Sequence, residues 1–96
     1  MFAHVNLWRL TEQGSSTDDT AAREIGTQLA QQDGFRSYTV VRPGEREVVV
    51  ITLFDTRDHL EQAVHAAAGF VRERLASLAQ GEPERRSGDV LYHTSA

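Results

Sequence analysis

Glu47-Val48-Val49-Val50-Ile51-Thr52-Leu53-Phe54 is the stretch on which the fold turns. Its β-branched and aromatic residues favour an extended strand. Apolar side chains run almost unbroken from Val48 to Leu53, so both faces of this strand are expected to be covered, placing it inside a sheet. Immediately upstream, Phe35 to Val41 (FRSYTVV) has the same character, and Arg42-Pro43-Gly44-Glu45-Arg46 between the two reads as a tight turn. The pair is therefore an antiparallel hairpin. Downstream, Asp55-Thr56-Arg57-Asp58 supplies a helix cap and acidic residues for the positive end of a helix dipole. Leu60, Ala63, Val64, Ala67, Val71, Leu75 and Leu78 then recur at helical spacing, with Gly69 as an expected interruption that either divides the helix or permits a close approach.

The flanks complete the pattern. Residues 2–10 alternate as a strand, with Ala3, Val5 and Leu7 on one side and Phe2, His4, Asn6, Trp8 and Leu10 on the other. Thr11 to Asp19 reads as a polar loop, with Thr17 or Asp18 as N-cap of a helix that carries Ala22, Ile25 and Leu29 on one face. Asp33-Gly34 ends that helix near Gln32. Gly81 to Gly88 reads as a polar loop, and Asp89 to Thr94 (DVLYHT) as a final short strand. The order β-α-β-β-α-β defines a ferredoxin-like α+β fold, a four-stranded antiparallel sheet with two helices on one face. The other sheet face is apolar and lacks a cover, which predicts a homodimer through the sheet faces.

Composition narrows the function. A chain of 96 residues is read as a single domain, residues 1–96, and one this small buries only a little over ~60% of its unfolded surface. The net charge of -4 argues against a nucleic-acid partner. All ten basic residues are arginine, so a Schiff-base lysine is excluded. The absence of cysteine excludes disulfides, thiolate metal sites and a cysteine nucleophile. No signal-peptide pattern and no apolar run of ~20 residues is present, so a cytoplasmic location without membrane association is expected.

Three segments carry a resemblance: Val5-Asn6-Leu7-Trp8-Arg9, Asp33-Gly34-Phe35-Arg36-Ser37-Tyr38, and Val48 to Phe54 followed by Asp55-Thr56-Arg57-Asp58-His59-Leu60. With them the chain resembles the dimeric α+β-barrel superfamily, in its antibiotic-biosynthesis-monooxygenase-like branch. The resemblance implies sheets paired into a barrel and a small hydrophobic molecule bound between sheet and helices. It also implies cofactor-independent oxidation of quinol-like aromatics in some relatives and haem degradation in others. Haem-degrading relatives carry a first-strand asparagine, matched by Asn6, and a tryptophan and a histidine on the second helix. Ala63 stands near the tryptophan position and no histidine follows His65 on that helix, so haem is disfavoured and no cofactor is expected.

A cofactor-free oxygenase needs a dry pocket, an orienting hydrogen bond, a base and a group to receive developing negative charge. Asn6 is the candidate for orientation, His4 for the base, and Tyr38 or Arg36 for the charge. Trp8 is a candidate stacking surface, and Val64 and Phe70 of the second helix are candidates for the opposite wall. Each residue also has a purely structural reading: His4 as a hydrogen-bonded strand histidine, Trp8 as core or interface packing, Tyr38 and Arg36 as a surface or interface pair on one strand face. The alternative function is therefore a non-catalytic binding or accessory domain. His59 and His65 lack metal-ligand spacing, and the serines lack a nucleophile-elbow context.

Overall fold

The computed structural model describes all residues, 1–96. The elements are β1 (Phe2–Arg9), α1 (Glu12–Ser16), α2 (Thr20–Ala30), β2 (Phe35–Gly44), β3 (Glu47–Phe54), α3 (Arg57–Leu75) and β4 (Glu84–Asp89). They form one antiparallel sheet in the order β2-β3-β1-β4, so β3 and β1 are the central strands. The expected ferredoxin-like architecture is present, with α2 and α3 on one face.

The core is small. Ile25 and Leu29 of α2, Phe54 of β3, and Leu60, Ala63 and Ala67 of α3 form its buried cluster. Phe54 is fully buried, and the Phe35 ring meets it edge-on at 5.7 Å between centroids. Alanine at 63 and 67 lets α3 lie close on the sheet, and Thr56 caps its start by accepting from the His59 backbone N–H at 3.1 Å. Gly69 does not interrupt α3, because it is exposed and the helix continues to Leu75.

Three departures from the sequence reading have physical causes. The last strand is Glu84–Asp89, which falls in the expected loop but for Asp89, and the expected strand does not continue beyond Asp89. In the β1–β4 register Asp89 already stands opposite Phe2, so the following residues have no β1 backbone left to pair with. The chain ends its pairing at Val90, whose N–H donates to the Met1 carbonyl at 2.9 Å, and Leu91 and Tyr92 are exposed. The second departure is α1, a helix of one turn in the expected Thr11–Asp19 loop, capped by Thr11 through the Gly14 N–H at 3.0 Å. Its successor α2 starts at Thr20, one to two residues later than expected; Asp18 accepts from both the backbone and the hydroxyl of Thr20. The third is a bulge in β2, treated with the site below.

The end of the sheet opposite Phe54 is closed by the segment after α3. Leu10 bridges to Ala79, the Gln80 N–H donates to the Arg9 carbonyl at 2.7 Å, and the Thr11 N–H donates to the Leu78 carbonyl at 3.0 Å. Gly14 lies so close to this segment that a Cβ there would stand 2.1 Å from the Leu78 carbonyl oxygen. Gly14→Ala is therefore expected to cost about 1–3 kcal/mol. Gly69→Ala, at a helical position where an added Cβ meets nothing, is expected to stabilise by about 0.5–1 kcal/mol. Urea denaturation of both variants checks the pair, and equal midpoints would contradict the close packing at Gly14.

Candidate functional site

Between the packed core around Phe54 and the closure at Leu10 lies an open cleft of about 1400 Å³, bounded by the sheet on one side and by α2 and α3 on the other. Its volume exceeds the ~300–1,000 Å³ usual for sites that enclose a drug-sized ligand, consistent with a wide mouth. Alternation along the paired strands makes its floor. His4, Asn6 and Trp8 of β1 stand opposite Thr52, Val50 and Val48 of β3, and all six line the cleft. Tyr38 and Val40 extend the floor from β2, and Val64 and Val71 face it from α3.

The structure thus brings together His4, Asn6, Trp8, Tyr38 and Val64 and leaves Arg36 and Phe70 outside. Arg36 sits at the β-bulge between Phe35 and Ser37. The extra residue breaks the alternation that would put Arg36 and Tyr38 on one face. Phe35 and Tyr38 both pack against the core instead, and Arg36 turns to an ion pair with Asp55. Phe70 packs against the core edge, where the Arg74 guanidinium lies 5.1 Å from its ring centroid and also pairs with Glu24.

Asn6 is the outstanding polar group of the floor. Its Oδ1 is buried and has no hydrogen-bond partner. A buried carboxamide oxygen without a partner costs about 1–3 kcal/mol, so a donor brought by a ligand would recover that loss. His4 is half-buried nearby on the same strand face. Burial, and then the positive charge of Arg85, lower its pKa below the usual 6.5, so the imidazole is neutral and able to accept a proton at pH 7. Tyr38 is different. Its hydroxyl donates to the Ala22 carbonyl at 2.8 Å, and burial pushes its pKa up to about 12. The proton needed to stabilise an oxyanion is already committed, and the ring lies where a Cβ on Gly26 would be 2.7 Å from it. Tyr38 ties β2 to α2.

Arg72 of α3 and Arg85 of β4 also line the cleft and escaped the sequence reading. Arg85 lies in the segment read as a loop, and Arg72 lies off the apolar stripe of α3. A signal was present for Thr52, a lone hydroxyl in the aliphatic run of β3. Tyr92 and His93 are exposed beyond the sheet and do not reach the cleft, and His65 is exposed on α3. Ala63 is fully buried in the core. No three histidine or carboxylate side chains are grouped to hold a metal ion, and no helix is long and apolar enough to cross a membrane.

No family model and no curated protein matches the sequence. Solved structures do match the fold. One is a Nitrosomonas europaea protein provisionally described as an antibiotic biosynthesis monooxygenase, with a TM-score of 0.81, 14% identity, and coverage of 96% of this chain and 100% of that one. SnoaB from Streptomyces nogalater, described as a cofactor-independent oxygenase, has a TM-score of 0.76 at 18% identity, covering 96% and 94%. Rv0793 from Mycobacterium tuberculosis has a TM-score of 0.80 at 17% identity, covering 98% of each chain. The chain therefore has the ferredoxin-like fold of the antibiotic-biosynthesis-monooxygenase structures, over nearly its whole length.

His4 is expected to titrate below 6.5. The unfolded chain then binds its proton more tightly than the folded one. This contribution to stability is intact above about pH 6.5 and is lost as pH falls from there through the folded-state midpoint. NMR titration of the His4 ring gives the midpoint, and a value at or above 6.5 would contradict the buried, Arg85-facing placement. Urea denaturation across the same range should show a shallower acid loss for His4→Gln.

Proposed function

We propose that residues 1–96 form a cofactor-independent monooxygenase acting in the cytoplasm on a small aromatic or quinol-type, polyketide-like molecule held between sheet and helices. The observation that carries this reading is the unpartnered, buried Asn6 Oδ1 on an apolar cleft floor that also holds a neutral imidazole, His4. The shared fold with SnoaB supports it.

The chemistry needs little from the protein. Asn6 accepts a hydrogen bond from a substrate hydroxyl while the ring lies along Trp8 and the valines of β3. His4 takes a proton from an acidic ring carbon of the keto tautomer. The resulting anion passes one electron to dioxygen, and the radical pair recombines to form the carbon–oxygen bond of a peroxide. The proton returns from His4 to the peroxide, which loses water and leaves a carbonyl. One oxygen atom ends in the product and one in water, so no external reductant is consumed. The apolar cleft limits water around the anion.

The second reading is a non-catalytic small-molecule-binding domain. It is favoured by the engagement of Tyr38 with Ala22 and of Arg36 with Asp55, which commits both oxyanion donors expected from the sequence to partners within the fold. Oxygen uptake with a panel of dihydroxy-aromatics separates the two. The oxygenase requires uptake that falls about 10²-fold or more in His4→Ala and is impaired in Asn6→Ala, but persists in the exposed His93→Ala. No uptake with any member, together with saturable binding of the same compounds, would leave the binding domain.

The reading includes a second copy. Only 10 of 96 residues are buried, and the sheet face away from the helices presents Val5, Leu7, Val49 and Ile51 half-exposed. Pairing two such faces removes this apolar surface from water and makes the dimeric α+β barrel. Ile51→Arg should shift the sedimentation-equilibrium mass from dimer to monomer at micromolar concentration; an unchanged dimer would place the contact elsewhere.

A further inference from the structure

The arginines of the cleft are not all accounted for by internal partners. Arg9, Arg23, Arg36, Arg57, Arg74 and Arg86 each pair with a carboxylate. Arg42 donates to the carbonyls of Ser15 and Glu45 at 2.6 and 2.7 Å. Arg46, Arg72 and Arg85 make no ion pair; Arg46 lies away from the cleft, and the other two line it. Among the cleft carboxylates, Asp19 is paired with Arg23 and Asp18 with the Thr20 hydroxyl. Glu82, in the loop before β4, is the one that remains. Two uncommitted guanidinium groups therefore face this cleft against one uncommitted carboxylate, in a chain whose net charge is -4.

Their position adds to the count. Arg85 stands directly opposite Asn6 in the β1–β4 register. Its charge is felt at His4, two residues along the same face of β1. A cation, an unpartnered amide oxygen and an imidazole thus share one side of a floor whose other hydroxyls are those of Thr52 and Tyr38.

We infer that the ligand of this cleft is a small apolar acid, its carboxylate anchored by Arg85 and drawn by Arg72, its hydrocarbon body lying on Trp8, Val48 and Val71. The inference rests on the cleft being the ligand site and names the class of ligand. A guanidinium matches a carboxylate with parallel N–H donors, which a neutral ester cannot accept with comparable strength. Arg85 is exposed at the cleft edge, so solvent and salt screen the contact and the preference is moderate.

Naphthoic acid and its methyl ester, titrated separately into the full chain, test this. The chain holds a single tryptophan, so the one indole N–H cross-peak reports occupancy beside Trp8. The acid is expected to bind about threefold to tenfold more tightly than the ester, with the margin shrinking as salt rises. Arg85→Gln should remove most of the margin, leaving only the weaker draw of Arg72, and leave ester binding as it was, whereas Arg46→Gln, off the cleft, should preserve it. Equal binding of the two probes to the unmodified chain, or a preference undiminished in Arg85→Gln, would overturn the acid and leave the cleft. If neither probe moves the indole signal, the ligand cleft falls with it.

Discussion

The packing of two helices onto Phe54 is the contact on which the remaining structure depends. Phe54 ends β3 between Phe2 of β1 and Phe35 of β2, and it is the one large side chain with no solvent exposure. Ile25 and Leu29 reach it from one helix, Leu60, Ala63 and Ala67 from the other. Losing such a ring costs about 3–5 kcal/mol, a large part of the ~5–15 kcal/mol that holds a domain together. The helices are thus anchored at one end of the sheet. Further along β1 and β3 the floor continues through Asn6, Trp8, Val50 and Val48, but no fully buried side chain fills the space above it. The cleft is the consequence of a core concentrated at one end.

A one-ended core would leave the other end free to splay, and here backbone hydrogen bonds take over. The segment after α3 returns along Arg9, Leu10 and Thr11, and Gly14 allows α1 to lie directly on the Leu78 carbonyl. The cleft is bounded by hydrophobic packing at one end and by main-chain pairing at the other. That arrangement keeps the floor residues on rigid strands while leaving the mouth open.

The electrostatics follow from the same geometry. β4 is an edge strand, so its Arg85 side chain reaches the cleft from the rim, whereas His4 and Asn6 sit on a central strand and are partly desolvated. Burial and the rim cation act together on His4 and favour its neutral form. Tyr38, half-buried against α2, keeps its proton in a hydrogen bond to a helix carbonyl and serves the frame of the site.

Much of this was legible in the residues themselves. The hairpin, the interior place of β3, the stripe of α3 and the two faces of β1 all depend on side-chain periodicity, which is a local property of the chain. His4, Asn6 and Trp8 were found together for that reason. The last strand was not legible, because every residue of Glu84–Asp89 is exposed and an edge strand held by main-chain bonds needs no apolar alternation. Leu91 and Tyr92 have strand-like character but lie past the end of β1. The bulge at Arg36 was hidden too, since one extra residue reverses which side chain faces inward without altering composition. Sequence by itself determined which segments fold and which of their faces are apolar. Only the tertiary structure decided which arginines meet the cleft, because pairing register and chain closure depend on contacts between distant backbones.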